Sequence, residues 1–320
     1  MSQNPQSIVA VDLTGDGKID LAMVDSNGAS SDQLQVLLGN GNGTFNPLAA
    51  VATGTGFGYL AYTDLNHDGK MDLVIVDPAS SAFYVLFGNG DGTFQIPQAY
   101  LAAGGAGSIA LMPLEDDNAA IMVPDNITGN LILMFANRGG TVEMPPLQNL
   151  GKQPGGIAAA DLNGDKQADL VVTDSRTGSV YVLLNMGQGQ FDNPTTYSVG
   201  PSPGAVAVAS LRNDGKLDVV AADSGGIDIL LGNGDGTFGA SQTYAATGPL
   251  SSLTLADFNS DGNRDVASAI PNIGGVALFA GNGNGTFQPA SNISLPSGMI
   301  PLTVVSGDFN GDGKPDLAAA

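Results

Sequence analysis

One nine-residue pattern recurs along the chain and constrains its fold more than any other feature. Positions 1, 3, 5 and 9 carry Asp, Asn or Thr, Asp and Asp, and Gly usually stands at position 6. Intact copies cover residues 12–20, 64–72, 161–169, 257–265 and 308–316. A damaged copy covers residues 210–218, and a seventh slot at 113–118 keeps the flanking apolar runs but has lost the pattern. The copies begin about 49 residues apart on average, a spacing typical of propeller blades rather than of nine-residue solenoid repeats.

Each period reads as four short strands. In the second unit the apolar or alternating runs cover residues 58–63, 72–76, 82–87 and 98–101, each bounded by Gly, Asn, Asp or Pro. A second motif, Gly-Asn-Gly-Asp/Asn-Gly-Thr-Phe, joins the third and fourth runs and supplies the positive φ angles that tight hairpins demand. No helical periodicity is visible. The sequence therefore predicts an all-β chain, a seven-bladed β-propeller of four-stranded antiparallel blades in a single domain over residues 1–320. The predicted blades cover about 7–53, 58–103, 107–150, 155–200, 204–247, 251–295 and 301–320.

The seventh blade is predicted to be incomplete. Its first strand covers residues 302–305 and its second covers 316–320, and no third or fourth strand follows in this sequence. Such an edge presents unpaired N–H and C=O groups, so we expect this blade to invite strand addition by a partner.

The Asp loops have the composition of calcium sites. Ca²⁺ takes six to eight oxygen ligands from carboxylates, amides and backbone carbonyls, and Gly allows the sharp turn between them. The Glu that ends an EF-hand loop at position 12 is absent, and position 12 already lies in a strand, so the loop belongs in a β-hairpin. The predicted ligands, with position 7 acting through its backbone carbonyl, are Asp12, Thr14, Asp16, Lys18 and Asp20; Asp64, Asn66, Asp68, Lys70 and Asp72; Asp161, Asn163, Asp165, Gln167 and Asp169; Asp257, Asn259, Asp261, Asn263 and Asp265; and Asp308, Asn310, Asp312, Lys314 and Asp316.

A structural alternative exists for these loops, because Asp-Gly and Asn-Gly turns also build hairpins with Asp side chains capping the backbone. Three carboxylates within nine residues repel one another unless a cation lies among them, and the pattern is intact five times. We therefore expect about five Ca²⁺ ions.

The copies differ in quality. Thr14 is a weaker ligand than Asn, and Lys166 stands where Gly is expected, which predicts backbone strain. In the damaged copy, Arg212 is expected to replace the metal by pairing with Asp214 and Asp218. The slot at 113–118 is expected to be metal-free.

Composition excludes several classes of protein. The net charge of −21 makes nucleic acid an improbable partner, since binding to phosphates needs Lys and Arg. The chain has no Cys, which excludes disulfides and thiolate chemistry, and no apolar run long enough for a transmembrane segment. No signal peptide is visible at residues 1–6.

The Asp loops and the Gly-Thr-Phe hairpins together resemble the FG-GAP/VCBS repeats, which form the seven-bladed propeller of integrin α-subunits and of many secreted bacterial proteins. The resemblance covers essentially the whole chain. It implies Ca²⁺ in the loop between the first and second strands of a blade, and an adhesive or ligand-binding role.

The ends of the blades opposite the Asp loops are the expected ligand surface, because the crossings between blades there are small and apolar. A second Asp recurs at these ends and is read either as a turn cap or as part of an acidic ring: Asp25, Asp77, Asp125, Asp174 and Asp223. His67 is expected to be exposed, and the Phe of each hairpin is expected to pack between blades.

We therefore expect a secreted or cell-surface protein that binds a protein or glycan ligand and is not an enzyme. The alternative is a carbohydrate-active protein, either a lectin or a calcium-dependent polysaccharide lyase. The absence of Trp weighs against a sugar site, although seven Tyr residues are available.

Overall fold

A computed structural model shows an all-β architecture. It describes residues 5–25, 32–54, 58–78, 82–101, 105, 108–113, 119–136, 142–143, 148–150, 153–187 and 189–320. Within these ranges the strands form six antiparallel sheets of four or five strands and one sheet of two strands. The one helical element among the described residues is a 3-10 turn at Pro271–Ile273. The chain divides into two compact units, residues 1–149 with 305–318 and 320, and residues 150–304 with 319.

The first unit contains three full blades. Blade 1 consists of β1 (Pro5–Val11), β2 (Asp20–Asp25), β3 (Asp32–Gly39), β4 (Phe45–Pro47) and β5 (Val51–Gly54), where β4 and β5 both pair with β3. Blade 2 consists of β6 (Tyr59–Thr63), β7 (Asp72–Asp77), β8 (Ala82–Leu86) and β9 (Gln98–Leu101). Blade 3 consists of β10 (Ala110–Pro113), β11 (Ala119–Asp125), β12 (Asn130–Ala136), β13 (Val142–Glu143) and β14 (Gln148–Asn149), the last two both pairing with β12.

The second unit contains the other three blades, each a four-stranded meander. Blade 4 consists of β15 (Pro154–Ala160), β16 (Asp169–Asp174), β17 (Ser179–Leu183) and β18 (Thr195–Ser198). Blade 5 consists of β19 (Ala205–Ala209), β20 (Asp218–Ala222), β21 (Gly226–Leu230) and β22 (Gln242–Ala245). Blade 6 consists of β23 (Leu253–Ala256), β24 (Asp265–Ile270), β25 (Gly275–Phe279) and β26 (Ser291–Ser294). The remaining strands are β27 (Val304–Gly307) and β28 (Asp316–Ala319).

The second strand of a blade is apolar at successive positions because both of its faces are buried. Side chains alternate between the two faces of a sheet. On β7, Leu73 and Ile75 pack with side chains of blade 1, whereas Val74 and Val76 pack with side chains of blade 3. Blade 5 repeats this arrangement between blades 4 and 6 with β20. Face-to-face packing of neighbouring sheets therefore explains why polar and apolar residues do not alternate along these strands.

The prediction of an all-β propeller with four-stranded antiparallel blades is confirmed, but the prediction of seven blades with an incomplete seventh is wrong. The structure has six blades, because the last repeat forms only the two-stranded sheet of β27 and β28. A two-stranded sheet is marginal unless it packs on something else. Here Val305, Phe309 and Ala318 pack against Ile8 and Leu21 of blade 1.

That sheet contacts blade 1 in the way that one full blade contacts the next. The carbonyl of Phe309, at position 2 of its Asp loop, accepts the N–H of Gly43 in the hairpin of blade 1 at 2.8 Å. In the second unit the carbonyl of Leu162, also at position 2, accepts the N–H of Gly236 in the hairpin of blade 5 at 3.1 Å. The two strands thus supply a blade-like contact without forming a blade.

Candidate metal loops

The first Asp of each loop closes the turn. One of its carboxylate oxygens accepts the backbone N–H of position 6 at 2.8 Å in all five intact loops. The Asp at position 5 accepts the N–H of position 7 at 2.8–3.0 Å, for example from Lys18 to Asp16 and from Gln167 to Asp165. These contacts are the turn-capping bonds that Asp favours. Positions 1 and 5 therefore shape the loop before any ion is considered.

The residue at position 3 connects to the Asp at position 5. The Oδ1 atoms of Asn66, Asn163, Asn259 and Asn310 accept the N–H of that Asp at 2.8–3.0 Å. Their Nδ2 atoms lie 3.0–3.5 Å from its Oδ2. In the first loop the Oγ1 of Thr14 instead lies 3.4 Å from Asp12 Oδ1. Side chains 1, 3 and 5 therefore lie together in one exposed turn.

Positions 4 and 6 of each loop have positive φ. In three of the intact loops one of these positions is occupied by a residue other than Gly, and its backbone is strained. At position 4 the φ values are +56° for His67 and +60° for Ser260, and at position 6 Lys166 has +70°. The predicted strain at Lys166 is confirmed, as is the exposure of His67. Left-handed backbone costs an L-residue roughly 1–2 kcal/mol, whereas Gly adopts it freely.

Replacing Lys166 by Gly is expected to stabilise the protein by about 0.5–1 kcal/mol, because relief of strain exceeds the added flexibility of the unfolded chain. Chemical denaturation measures the change. Gln167→Gly is the matched control, since position 7 has no positive φ, and it should destabilise. Equal effects of the two substitutions would contradict the strain at position 6.

The Asp at position 9 is buried in every loop except 308–316, where Asp316 is half-buried, and it joins two parts of its blade. Asp72 accepts the N–H of Leu65 with Oδ2 and the N–H of Gly88 with Oδ1, both at 2.8 Å. The same pair of bonds recurs at Asp20, Asp169, Asp218 and Asp265. Asp316 accepts the equivalent N–H from Phe309 at 3.1 Å. Position 9 therefore ties the Asp loop to the start of the Gly-Thr-Phe hairpin, a role that the sequence analysis missed.

Burial, with a smaller contribution from the carboxylates of Asp68 and Asp64, raises the pKa of the Asp72 carboxyl to about 6. Burial likewise raises the pKa of Asp20, Asp169 and Asp265, again with a contribution from other Asp residues of the same loop. Two backbone N–H donors per carboxylate oppose this shift. These four loops therefore concentrate negative charge that a cation would stabilise.

No three acidic or imidazole side chains form a ready-made metal cage within the described ranges. The donor set nevertheless suits a hard cation, because each loop offers three carboxylates, an amide or hydroxyl oxygen and a backbone carbonyl. Carboxylate oxygens each have two lone-pair directions, so an oxygen that accepts an N–H can still ligate. Positions 1, 3, 5, 7 and 9 would hold the ion.

The loop at 210–218 carries its own cation. The guanidinium of Arg212 lies 2.7 Å from Asp218 Oδ1 and 3.3 Å from Asp214 Oδ2, and it donates to the carbonyl of Gly232 at 2.5 Å. The predicted pairing of Arg212 with both carboxylates is therefore confirmed. The prediction for the slot at 113–118 falls mainly on residues 114–118, which lie outside the described residues.

The Gly-Thr-Phe hairpin is held by its own side chains and by the neighbouring blade. In blade 2, Asn89 Nδ2 donates to Thr93 Oγ1 at 2.9 Å, and the N–H and hydroxyl of Thr93 donate to Asp91 Oδ1. The Phe of the hairpin contacts a Tyr of the preceding blade edge-to-face, with ring centroids 5.5 Å apart for Phe238 and Tyr197. The predicted packing of this Phe between blades is confirmed for that pair and for Phe287 with Tyr244.

The recurring Asp residues at the opposite ends of the blades are buried turn caps. Asp25, Asp77, Asp125, Asp174 and Asp223 are all between 0% and 4% exposed. Asp125 accepts the N–H groups of Ile127 and Thr128, and Asp174 accepts those of Arg176 and Thr177. This burial excludes the alternative of an exposed acidic ring.

Solved structures with the same fold have diverse activities. An Agrocybe aegerita lectin that recognises non-reducing terminal N-acetylglucosamine is 19% identical, with a TM-score of 0.58 over 98% of this chain and 85% of that one. The periplasmic gluconolactonase of Pseudomonas aeruginosa is 17% identical, with a TM-score of 0.67 over 100% and 89%. A putative 6-phosphogluconolactonase from Bacteroides uniformis is 14% identical, with a TM-score of 0.71 over 99% and 89%. These identities show likeness of fold alone.

The expectation that this chain is not an enzyme is wrong, because the observations behind it do not exclude catalysis. Two of the structures with this fold bear the names of lactonases, so neither the fold nor the lack of Cys and of a His-based triad excludes hydrolysis.

No curated protein matches the chain in sequence. In the part of the chain that the structure describes, no helix has the length and hydrophobicity needed to cross a membrane. A model of the FG-GAP-like repeat matches five times, over residues 12–75, 64–118, 161–211, 211–268 and 257–319, which together make up well over half of the sequence. The chain therefore belongs to the FG-GAP-like repeat family.

Proposed function

We propose that this chain is a calcium-stabilised binding propeller. Its five intact Asp loops each hold one Ca²⁺, and the opposite ends of its blades bind a protein or glycan ligand outside the cell. Such a location suits these loops, because extracellular modules work with weak calcium sites at high free Ca²⁺.

The observation that carries the calcium proposal is the arrangement around Arg212. In this one loop the ligands at positions 1 and 3 are lost, and a guanidinium pairs with the carboxylates of positions 5 and 9. Like charges in close proximity need a counter-charge. In the first intact loop Lys18 at position 7 lies 2.8 Å from Asp16. No intact loop, however, has a cationic side chain at position 1, 3, 5 or 9, which supports a bound cation at these positions.

The calcium count is tested by isothermal calorimetry on the whole chain. We expect about five Ca²⁺ per chain for the natural sequence, and one more for the double variant Ser210→Asp with Arg212→Asn, which restores the missing ligands. Arg264→Asn removes a positive charge from position 8 of an intact loop, which is not a ligand position, and it serves as the matched control. An unchanged count in the double variant would contradict the role of Arg212 as the replacement for an ion.

The opposite ends of the blades expose apolar side chains that could contact a ligand. Ile127, in the turn after β11, is 73% exposed. In the second unit Ile273, Met299 and Ile300 are 50%, 55% and 67% exposed. Loops on a rigid sheet scaffold are where ligand contacts concentrate. The hairpins at the Asp-loop ends, in contrast, use their Asn and Thr side chains on one another.

Blade 2 adds an aromatic side chain at this end. Tyr59 begins β6 and is 37% exposed. In every other repeat the residue five places before the loop is small: Ser7, Ser108, Gly156, Ala205, Ser252 and Thr303. An aromatic ring with a polar hydroxyl suits partly wet binding surfaces. This departure from the repeat supports a ligand contact at Tyr59.

Binding to immobilised glycans and to candidate proteins, in Ca²⁺ and in EDTA, tests the ligand proposal. Tyr59→Ser restores the residue type of the other repeats and is expected to weaken binding at least tenfold without loss of fold. Tyr62→Ser is the matched control, because Tyr62 lies on the same strand next to the Asp loop and is 41% exposed. Full binding by Tyr59→Ser would contradict a contact at Tyr59, and absence of any ligand in both panels would contradict the binding role.

The edge of β28 is a further candidate for partner contact. Among the described strands β28 pairs with β27 alone. An unpaired edge with small side chains at Ala318 and Ala319 accommodates strand addition. We propose this as a secondary mode of association.

A further inference from the structure

Blade 5 buries two carboxyl groups against each other. Asp223 follows β20 and Asp228 lies in the middle of β21, and they are 1% and 0% exposed. The Oδ2 atoms of both carboxyls adjoin each other beside Gly200, in the crossing from blade 4, where an added Cβ would lie 2.9 Å from Asp228 Oδ2 and would overlap Asp223 Oδ2. The metal loops do not use this pair.

The two carboxyls have very different sets of donors. Asp228 Oδ1 accepts the hydroxyls of Ser241 and Thr243 at 2.9 and 2.5 Å, and its Oδ2 accepts the N–H of Gly200 at 2.6 Å. Asp223 Oδ1 accepts the N–H groups of Gly225 and Gly226. With both carboxyls ionised, the buried Asp223 Oδ2 has no hydrogen-bond partner among the described residues.

Blade 4 has a hydroxyl donor at the position equivalent to Asp228. Tyr181 on β17 is the counterpart of Asp228: it pairs with Val172, three residues after Asp169, just as Asp228 pairs with Ala221, three residues after Asp218. The hydroxyl of Tyr181 donates to Oδ2 of the turn cap Asp174 at 3.2 Å. Blade 5 thus replaces a hydroxyl donor with a second carboxyl.

We infer that Asp223 and Asp228 share one bound proton at neutral pH, carried on Asp223 Oδ2 and donated to the Asp228 carboxylate. Three donors stabilise Asp228 as the anion, whereas Asp223 Oδ2 faces no donor. A proton on Asp223 Oδ2 supplies the hydrogen bond that Tyr181 supplies in blade 4. Without it, two buried negative charges would meet in the interior.

Burial raises the pKa of the Asp223 carboxyl, and the neighbouring Asp228 raises it further. The segments packed around the pair are the crossing 199–204, the turn 224–226, β22 and the crossing 246–250. Their one titratable side chain is that of Tyr244, whose hydroxyl lies 3.5 Å from Gln242 Oε1. Arg176, in the adjacent turn of blade 4, makes no ion pair with either carboxyl among the described residues. Within the described ranges, therefore, no cationic side chain replaces the proton.

The pair makes the stability of blade 5 depend on pH. A carboxyl whose pKa is higher in the folded than in the unfolded chain stabilises the fold fully below the unfolded value, and this stabilisation is lost as pH rises through the folded value. Ionisation of Asp223 would also place two mutually repelling carboxylates beside Gly200. The crossing 199–204 is therefore held most firmly when the proton is present.

The test compares unfolding of the natural chain with that of Asp223→Asn from pH 5 to 9 in excess Ca²⁺. The amide of Asn keeps an acceptor for the turn and donates to Asp228 without a titrating proton. The unfolding constant of the natural chain, relative to Asp223→Asn, should rise by up to about tenfold per pH unit. An infrared carbonyl band of a protonated carboxyl should be present in the natural chain at neutral pH and absent in the variant.

Asp174→Asn is the matched control, because it alters the equivalent turn cap but leaves the pair intact. Its pH dependence should parallel that of the natural chain. If Asp223→Asn does not fold, Asp228→Asn tests the same point, since its amide can donate to an ionised Asp223. The proposal of a shared proton would be overturned if stability depended on pH in the same way in the natural chain and the Asn variants, and if the natural chain showed no infrared band of a protonated carboxyl.

Discussion

Chelation of calcium by EDTA is expected to lower the thermal stability of this protein strongly. A ligand that binds only the folded state stabilises it by about 2.7 kcal/mol per site when its free concentration is 100-fold above the dissociation constant. With five intact loops, this effect exceeds that of any single substitution. The cause is visible in the loops, where carboxylates of one loop raise the pKa of a buried neighbour such as Asp72. The measurement is thermal unfolding in excess Ca²⁺ and in excess EDTA.

Magnesium provides the control for this experiment. Mg²⁺ demands near-octahedral geometry and gives up its water reluctantly, so an equal concentration should restore little of the lost stability. Restored calcium should return the full melting temperature. Identical unfolding curves in Ca²⁺ and EDTA would contradict calcium stabilisation and would leave the Asp loops as capped turns.

The strands and turns could be predicted from the sequence because their signals are local. Asn-Gly and Asp-Gly steps force positive φ within one hairpin, and Gly90 and Gly92 do have φ near +80°. Strain at Lys166 and the pairing of Arg212 also followed from positions within a single nine-residue loop. Repetition made each local signal appear several times, which fixed the fold class.

The features that the sequence analysis missed depend on contacts between distant residues. Asp20 accepts an N–H from Gly39, nineteen residues away, so its role in joining loop to hairpin is not visible in the loop pattern. Burial of the opposite Asp residues depends on the turns and crossings around them. The blade count failed for a related reason: the apolar residues of the last repeat were predicted to belong to a blade, whereas they pack as two strands on blade 1.

Asp72→Ala is expected to destabilise the protein by about 2–6 kcal/mol even in EDTA. The substitution leaves the buried N–H groups of Leu65 and Gly88 without acceptors, and each such orphaned donor costs about 1–3 kcal/mol. Asp64→Ala, in the same loop, exposes the N–H of Gly69 to water instead and should cost about 1 kcal/mol. Chemical denaturation in EDTA measures both losses without a contribution from the ion.

Two comparisons separate the role of Asp72 in the fold from its role as a ligand. Asp72→Asn keeps one acceptor oxygen, so its loss in EDTA should fall between those of the two Ala variants. In Ca²⁺ both Ala variants lose one ion, and the difference between them should remain what it is in EDTA. Equal losses for Asp72→Ala and Asp64→Ala in EDTA would mean that the carboxylate at position 9 acts through the ion alone, and that its two N–H contacts contribute no net stability.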